Sequence, residues 1–401
     1  MMIRRLTALL LSLLMLPVFT SCVKVSAKEL SAGYSPSDNA MTGSYIEGPY
    51  ARFTSALFKG AAENGGNVLV SPYSALICFS MLANGADGES RAEIENYLGC
   101  DTEQLEKLSA YLISSLKTGK ECVIKTANSV WVKDSFEKSV LPSYLQKNAD
   151  VYGAQIYSAP FDQSTAKDVN LWCDRQTDGM IDKIIDRIGS DEVFFLINSL
   201  LFDAKWETKY ENKDIKDGEF RNYNGTEKSV KMLNSTERFV PGETYCGFSK
   251  KYKDGNYVFT AILPDDESTD IFKFIKDLDV EELFKTEYNG SVEVFIPEFS
   301  FDGEADFREI LKKEGIASVF DPNGADLSLI SRDPLYCSAF IQKTRVEFDR
   351  NGTKAAAISL IGGAKSAAPS ENKLIFDRPF VFTISDAKDG FPLFIGAVTR
   401  L

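Results

Sequence analysis

The chemistry open to this chain is bounded first by a residue it lacks: there is no histidine among its 401 residues. A serine or cysteine nucleophile activated by imidazole is therefore excluded, and so is a His-ligated zinc site. Ser366 sits among small residues with no imidazole to activate it, so it does not read as a nucleophile. Cys78, Cys100, Cys122, Cys173, Cys246 and Cys337 are scattered, with no CxxC and no metal-ligand spacing. They are expected to be mostly free, buried thiols, although an exported chain could pair some of them. No glycine-rich phosphate loop is present, and no cofactor or metal is expected. What remains is catalysis by carboxylates, Lys, Cys or Tyr alone, or a function without catalysis. The formal charge of −13, from 58 acidic and 45 basic side chains, argues against nucleic acid or an anionic membrane as the main partner.

Any such chemistry must be positioned by a large core, and the composition supplies one: 44% hydrophobic and 26% charged residues are an ordinary globular balance. The N-terminus stands apart. Arg4 and Arg5 precede an apolar run from Leu6 to Phe19, short for a membrane span and shaped like a secretory signal. It ends in Phe19-Thr20-Ser21-Cys22, similar to the bacterial lipoprotein box in which the cysteine is lipidated. The signal is thus expected over 1–21, with cleavage after Val25-Ser26-Ala27 as the alternative; either route exports the chain. Residues 22–48, rich in Ser, Gly, Asn and Asp, are expected to form a flexible tether, and 49–401 one mixed domain.

Within that domain the first half reads as mainly helical. Ser71-Pro72 is an N-cap followed by proline at the first helical position, and the apolar run Ala75–Leu82 predicts a helix buried all round. Ser90-Arg91-Ala92-Glu93 is expected to be a capping box for a short helix ending at Gly99. Strands are expected at Ala127–Val132, Glu192–Phe202, Tyr257–Leu263, Ser291–Phe301 and Cys337–Asp349. In the last of these Phe340, Thr344, Val346 and Phe348 alternate with Lys343, Arg345, Glu347 and Asp349. Gln342 falls on the apolar side and calls for a buried hydrogen-bonding partner. The Asn-Gly-Thr triplets at Asn224 and Asn351 read as turns.

Four segments together resemble the serpin family: Asn67-Val-Leu-Val-Ser71-Pro72-Tyr-Ser74, Asn198-Ser-Leu-Leu-Phe202-Asp-Ala-Lys-Trp206, Gly352-Thr353-Lys354-Ala355-Ala356-Ala357 and Asp377-Arg378-Pro379-Phe380-Val381-Phe382. Asn170, Thr177-Asp-Gly179-Met-Ile181 and Leu263-Pro264 add shorter matches, all in family order. The resemblance implies an α+β serpin fold of about nine helices and three β-sheets. It implies an exposed reactive loop, here at about 350–376, that a protease cuts and is acylated by. The loop then inserts as a strand and distorts the trapped protease; serpin loop insertion is itself a stock instance of strand addition and of released strain.

The loop residues allow that reading to be weighed. Thr353, Ala355, Ala357, Ser359, Ile361 and Gly363 would go under the sheet, and none is charged. Lys354, on the other face, would stay in solvent, and no proline interrupts 352–368. Counting fifteen residues from Gly352, inclusive, places the reactive bond at Ser366-Ala367; Ala367-Ala368 and a cut after Lys365 are the alternatives. Small residues there suit an elastase-like protease, while Lys365 keeps a trypsin-like target open. By the family pattern, Arg350 and Glu298 are expected to form a charge-reversed hinge ion pair. Gln342 stands where many members have histidine, with Asn198, Ser71 and Ser74 at the matched neighbouring positions of the sheet-opening region. Trp206 matches the tryptophan under the insertion point.

The leading expectation is a monomeric, irreversible serine protease inhibitor, secreted or anchored at the cell surface through lipid on Cys22. The competing readings are a non-inhibitory serpin acting as a surface binding protein, and an inhibitor of trypsin-like or cysteine proteases.

Overall fold

In the computed structural model the described residues are 24–37, 43–285, 287–353 and 373–401. The leader 1–21, Cys22, and the loop positions Lys354, Ala355, Ala356, Ala357, Lys365, Ser366, Ala367 and Ala368 lie outside them.

The chain order begins β1 (Lys28–Glu29), α1 (Glu47–Ala62), β2 (Val68–Val70), α2 (Pro72–Ala83), α3 (Gly88–Leu98) and α4 (Thr102–Ser115). Ser71 caps α2 as expected, accepting from the Ser74 amide, and all twelve residues of that helix are buried. The capping box expected at Ser90 is absent. Asp87 precedes α3, while the Ser90 hydroxyl and Glu93 carboxylate tie the helix to Ser318 instead. The box occurs one helix later, where Asp101 and Gln104 satisfy each other's backbone amides. Gly99 ends α3 in the left-handed conformation, φ 69°, which its missing Cβ permits.

Next come β3 (Cys122–Lys133), α5 (Pro142–Val151), β4 (Gln155–Ala159), α6 (Gln163–Gln176), β5 (Phe194–Lys205), β6 (Ile215–Arg221), β7 (Glu227–Pro241), β8 (Tyr245–Lys251), β9 (Tyr257–Pro264) and α7 (Ile271–Asp277). The chain closes with β10 (Ser291–Pro297), β11 (Phe299–Asp306), α8 (Phe307–Lys313), β12 (Ala339–Phe348), β13 (Gly352–Thr353), β14 (Lys373–Ile375), β15 (Phe380–Asp386) and β16 (Pro392–Val398). The single apolar run Ser291–Phe301 is divided at Pro297. Its first part pairs with β7 and its second with β12, so it crosses from one sheet to the other.

One sheet has the order β1-β4-β3-β5-β13-β12-β11. The other runs β14-β10-β7-β8-β9-β15-β16-β2, with β6 also on β7. The three sheets that the resemblance implies appear as two because long β7 belongs to both halves of the second. It pairs with β6 and β10 along its length and with β8 at Arg238–Pro241. The main core lies between the sheets and under α2. A second cluster, including Trp131, Tyr157, Trp172 and Phe195, fills the space under α6. The six cysteines from Cys78 onward are free, and all but Cys246 are buried.

The flexible tether expected over 22–48 is not what residues 24–37 form. β1 pairs antiparallel with the edge strand β4, and Val25 and Ala27 pack on the second cluster. The Asp168 carboxylate on α6 accepts from the Ser26 amide (2.9 Å), the Ser26 hydroxyl (2.7 Å) and the Ala27 amide (2.8 Å). A polar composition concealed this because the bonding is mostly to backbone, which any sequence carries.

Candidate functional site

The parallel ladder between β5 and β12 runs, among the described residues, from Ala339 opposite Phe195 to Gln342 opposite Asn198. Six residues further along each strand that register would set Phe348 against Ala204. Thr353 occupies that place, paired with Ala204 on one side and Phe348 on the other. The chain reaches it through a tight turn. The Asp349 amide donates to the Gly352 carbonyl (3.0 Å), and the Asp349 carboxylate accepts from the amides of Asn351 (2.7 Å) and Gly352 (3.1 Å). Glycine is needed at 352 because a Cβ there would lie 2.1 Å from the Ala204 carbonyl oxygen.

The turn is held from beneath. The Trp206 indole donates to the Asp349 carbonyl (2.9 Å), the Tyr210 amide to Arg350 (3.0 Å) and the Trp206 amide to Asn351 (2.9 Å). The Tyr252 and Thr353 hydroxyls are 2.7 Å apart and buried. Trp206 stacks on Tyr252 at 4.5 Å and leans on Phe348 at 5.1 Å. Arg350 Nε lies 3.5 Å from Glu298 Oε1, and its guanidinium also donates to Asn212 (3.2 Å). Both charged side chains are partly exposed.

At the closed end of the ladder Gln342 is buried, and its side-chain amide meets both backbone groups of one residue. It accepts from the Ser71 amide (2.8 Å) and donates to the Ser71 carbonyl (3.0 Å). The other residues matched by family pattern are close but bonded differently. The Asn198 amide donates to Asn128, and the Asn198 oxygen and Ser74 hydroxyl have no partner among the described residues. Gln342 is therefore bound to backbone, not to the Asn198 side chain or the Ser74 hydroxyl. Tyr210 and Tyr252 read in the sequence as ordinary core residues and Lys250 as an ordinary surface lysine, so all three were missed. Among the described residues no group of three or more Cys, Asp and Glu is disposed to hold a metal ion.

This arrangement has known counterparts. Residues 49–401 match the family model described as Serpin (serine protease inhibitor). The chain belongs to the serpin family. Relatives of this serpin include alpha-1-antiproteinase of Rattus norvegicus, 28% identical over 91% of each chain. Another is the leukocyte elastase inhibitor of Sus scrofa, 28% identical over 87% of this chain and 97% of the relative. Among solved structures, the thermophilic serpin tengpin in its native state is 32% identical, covers 94% of this serpin and all of its own chain, and superposes with a TM-score of 0.86. Its latent state gives 33%, 90% coverage and 0.77.

Proposed function

We propose that this serpin is an irreversible, suicide-substrate inhibitor of serine proteases with an elastase-like target. The observation that carries the reading is the seat of Thr353 between Ala204 and Phe348, where a further strand between β5 and β12 would begin. The residues that would follow on the same face, Ala355, Ala357, Ser359, Ile361 and Gly363, are uncharged, so their burial leaves no lone charge in the sheet. The protease supplies the chemistry. Its serine attacks the Ser366 carbonyl, the Ala367 amine leaves, and the ester persists because strand insertion outruns hydrolysis. The small residues at 366–368 fit a shallow primary pocket. An SDS-stable complex with elastase, and release of a C-terminal fragment beginning at Ala367 or Ala368, are the expected results. Clean cleavage without a complex for every serine protease tried would favour a binding role. A cut after Lys365 would shift the target to a trypsin-like enzyme.

The same proposal has the chain exported as a monomer with cleavage before Cys22. Cleavage after Ala27 would remove the partners of Asp168, so the bound position of Ser26 and Ala27 supports the earlier cut. The mass of the mature N-terminal peptide, with or without lipid, decides between them.

A further inference from the structure

One buried cation plays no part in the reading above. Lys250 on β8 is 2% exposed, in a strand position where an apolar side chain would serve. Its ammonium sits against the Glu237 carboxylate on β7, also largely buried, and Nζ lies 4.4 Å from the Tyr210 ring centroid and 5.7 Å from that of Trp206. Burial is the strongest influence on this group and pulls its pKa down. Tyr210 and Glu237 outweigh it and hold the lysine above its ordinary value, so it is charged throughout the physiological range.

The two aromatic residues that face this charge also anchor the hinge. Between them Trp206 and Tyr210 hold the three consecutive carbonyls of Asp349, Arg350 and Asn351. A cation against an aromatic face is attracted by the ring quadrupole, and more strongly where water is excluded. The long stem of Lys250 thus connects sheet strand β8 to the 206–210 segment, and through that segment to the turn that delivers Thr353.

We infer that Lys250 is a positioning residue for loop insertion: its ammonium clamps Trp206 and Tyr210, and so fixes the turn from which the loop enters between β5 and β12. The inference rests on the inhibitor reading for its kinetic consequence. After acylation two events compete. In one, the strand inserts from the fixed turn. In the other, water adds to the acyl carbon, the ester bond to the protease serine breaks, and that serine oxygen takes up a proton. A loosened turn delays the first event and leaves the second unchanged. The protease then escapes more often, although the loop is recognised and cut as before.

The test uses the full-length protein. Lys250→Met with Glu237→Gln keeps the volume, removes the charge and leaves no lone carboxylate behind. The stoichiometry of inhibition of elastase should rise about threefold while the second-order rate of loop attack stays within about twofold. Amide exchange at Asn351, Gly352 and Thr353 should accelerate about tenfold. Lys250→Arg should restore both. Tyr210→Leu keeps the ion pair and the backbone donor, and should move both readouts the same way if the double variant does not fold. Unchanged stoichiometry and unchanged exchange would overturn the clamp. If the unmodified protein traps no protease, the inhibitor reading fails on its own, and the exchange result still decides whether Lys250 holds the turn.

Discussion

Arg350 and Glu298 illustrate how little energy an ion pair beside the hinge needs to carry. A half-exposed ion pair of this kind contributes about 0.2–1 kcal/mol, and less at high salt. Reversing either charge alone should lower the thermal midpoint by about one to two degrees, whereas reversing both should restore it. Simple additivity in that double-mutant cycle would dissolve the pair. Gln342 makes the opposite point. Its carboxamide does not titrate, and it bridges the two backbone groups of Ser71 at any pH. Unfolding temperature and spontaneous loop insertion should therefore show no step between pH 5 and 8 from this site. Gln342→His should introduce one. A buried imidazole binds its proton more weakly than in the unfolded chain, so stability would be lost as pH falls below the unfolded value of about 6.5. A pH-flat midpoint in that variant would count against the burial argument. The Arg350–Glu298 partnership was legible in the sequence from family pattern, as was the position of Gln342. The partner Gln342 chose was not, because a backbone peptide carries no sequence signature.

Among the elements, the N-terminal strap shows most clearly what composition conceals. Asp168 receives three hydrogen bonds from it, and two further carboxylates hold it down: Glu137 meets Lys28, and Asp150 accepts from the Ser37 amide. The Lys28 hydrogen bond chiefly lowers the pKa of Glu137, and the Ser37 backbone bond that of Asp150. A carboxylate depressed in the folded state stabilises it above the unfolded pKa, and that contribution is lost as pH falls through the folded value. Protection of the Leu30 and Ser37 amides should therefore hold from neutral pH down to the ordinary carboxylate range and fall away below it. Asp168→Ala should cost about 2–3 kcal/mol in strap attachment and raise amide exchange in 25–31 at neutral pH. Unaltered exchange would mean that strand pairing with β4 suffices alone. With lipid on Cys22 the strap would also keep the domain close to the membrane, since Val25, three residues on, already packs on the body.

For the whole molecule, the decisive feature is a sheet whose two central strands pair at one end and admit a third at the other. An added strand from 354 onward would gain ladder hydrogen bonds on both edges, so the cleaved form should unfold at a much higher temperature than the uncleaved one. On the inhibitor reading, Ala355→Glu would place a lone charge under the sheet and should turn inhibition into substrate turnover, with several times more serpin consumed per protease inactivated. The matching change at Ala356, on the solvent face, should have little effect. Equal behaviour of the two variants would refute the insertion register. By itself the sequence determined the fold class, the cap at Ser71 and the alternation of β12, because each follows from local spacing or from a family pattern along one strand. Only the tertiary structure decided that Thr353 sits between Ala204 and Phe348, that Ser26 and Ala27 bind Asp168, and that Lys250 lies beneath the hinge. Thr353 with Ala204, Ser26 with Asp168 and Lys250 with Trp206 are pairs distant in the chain, and they meet largely through backbone groups and aromatic faces that look the same everywhere in a sequence.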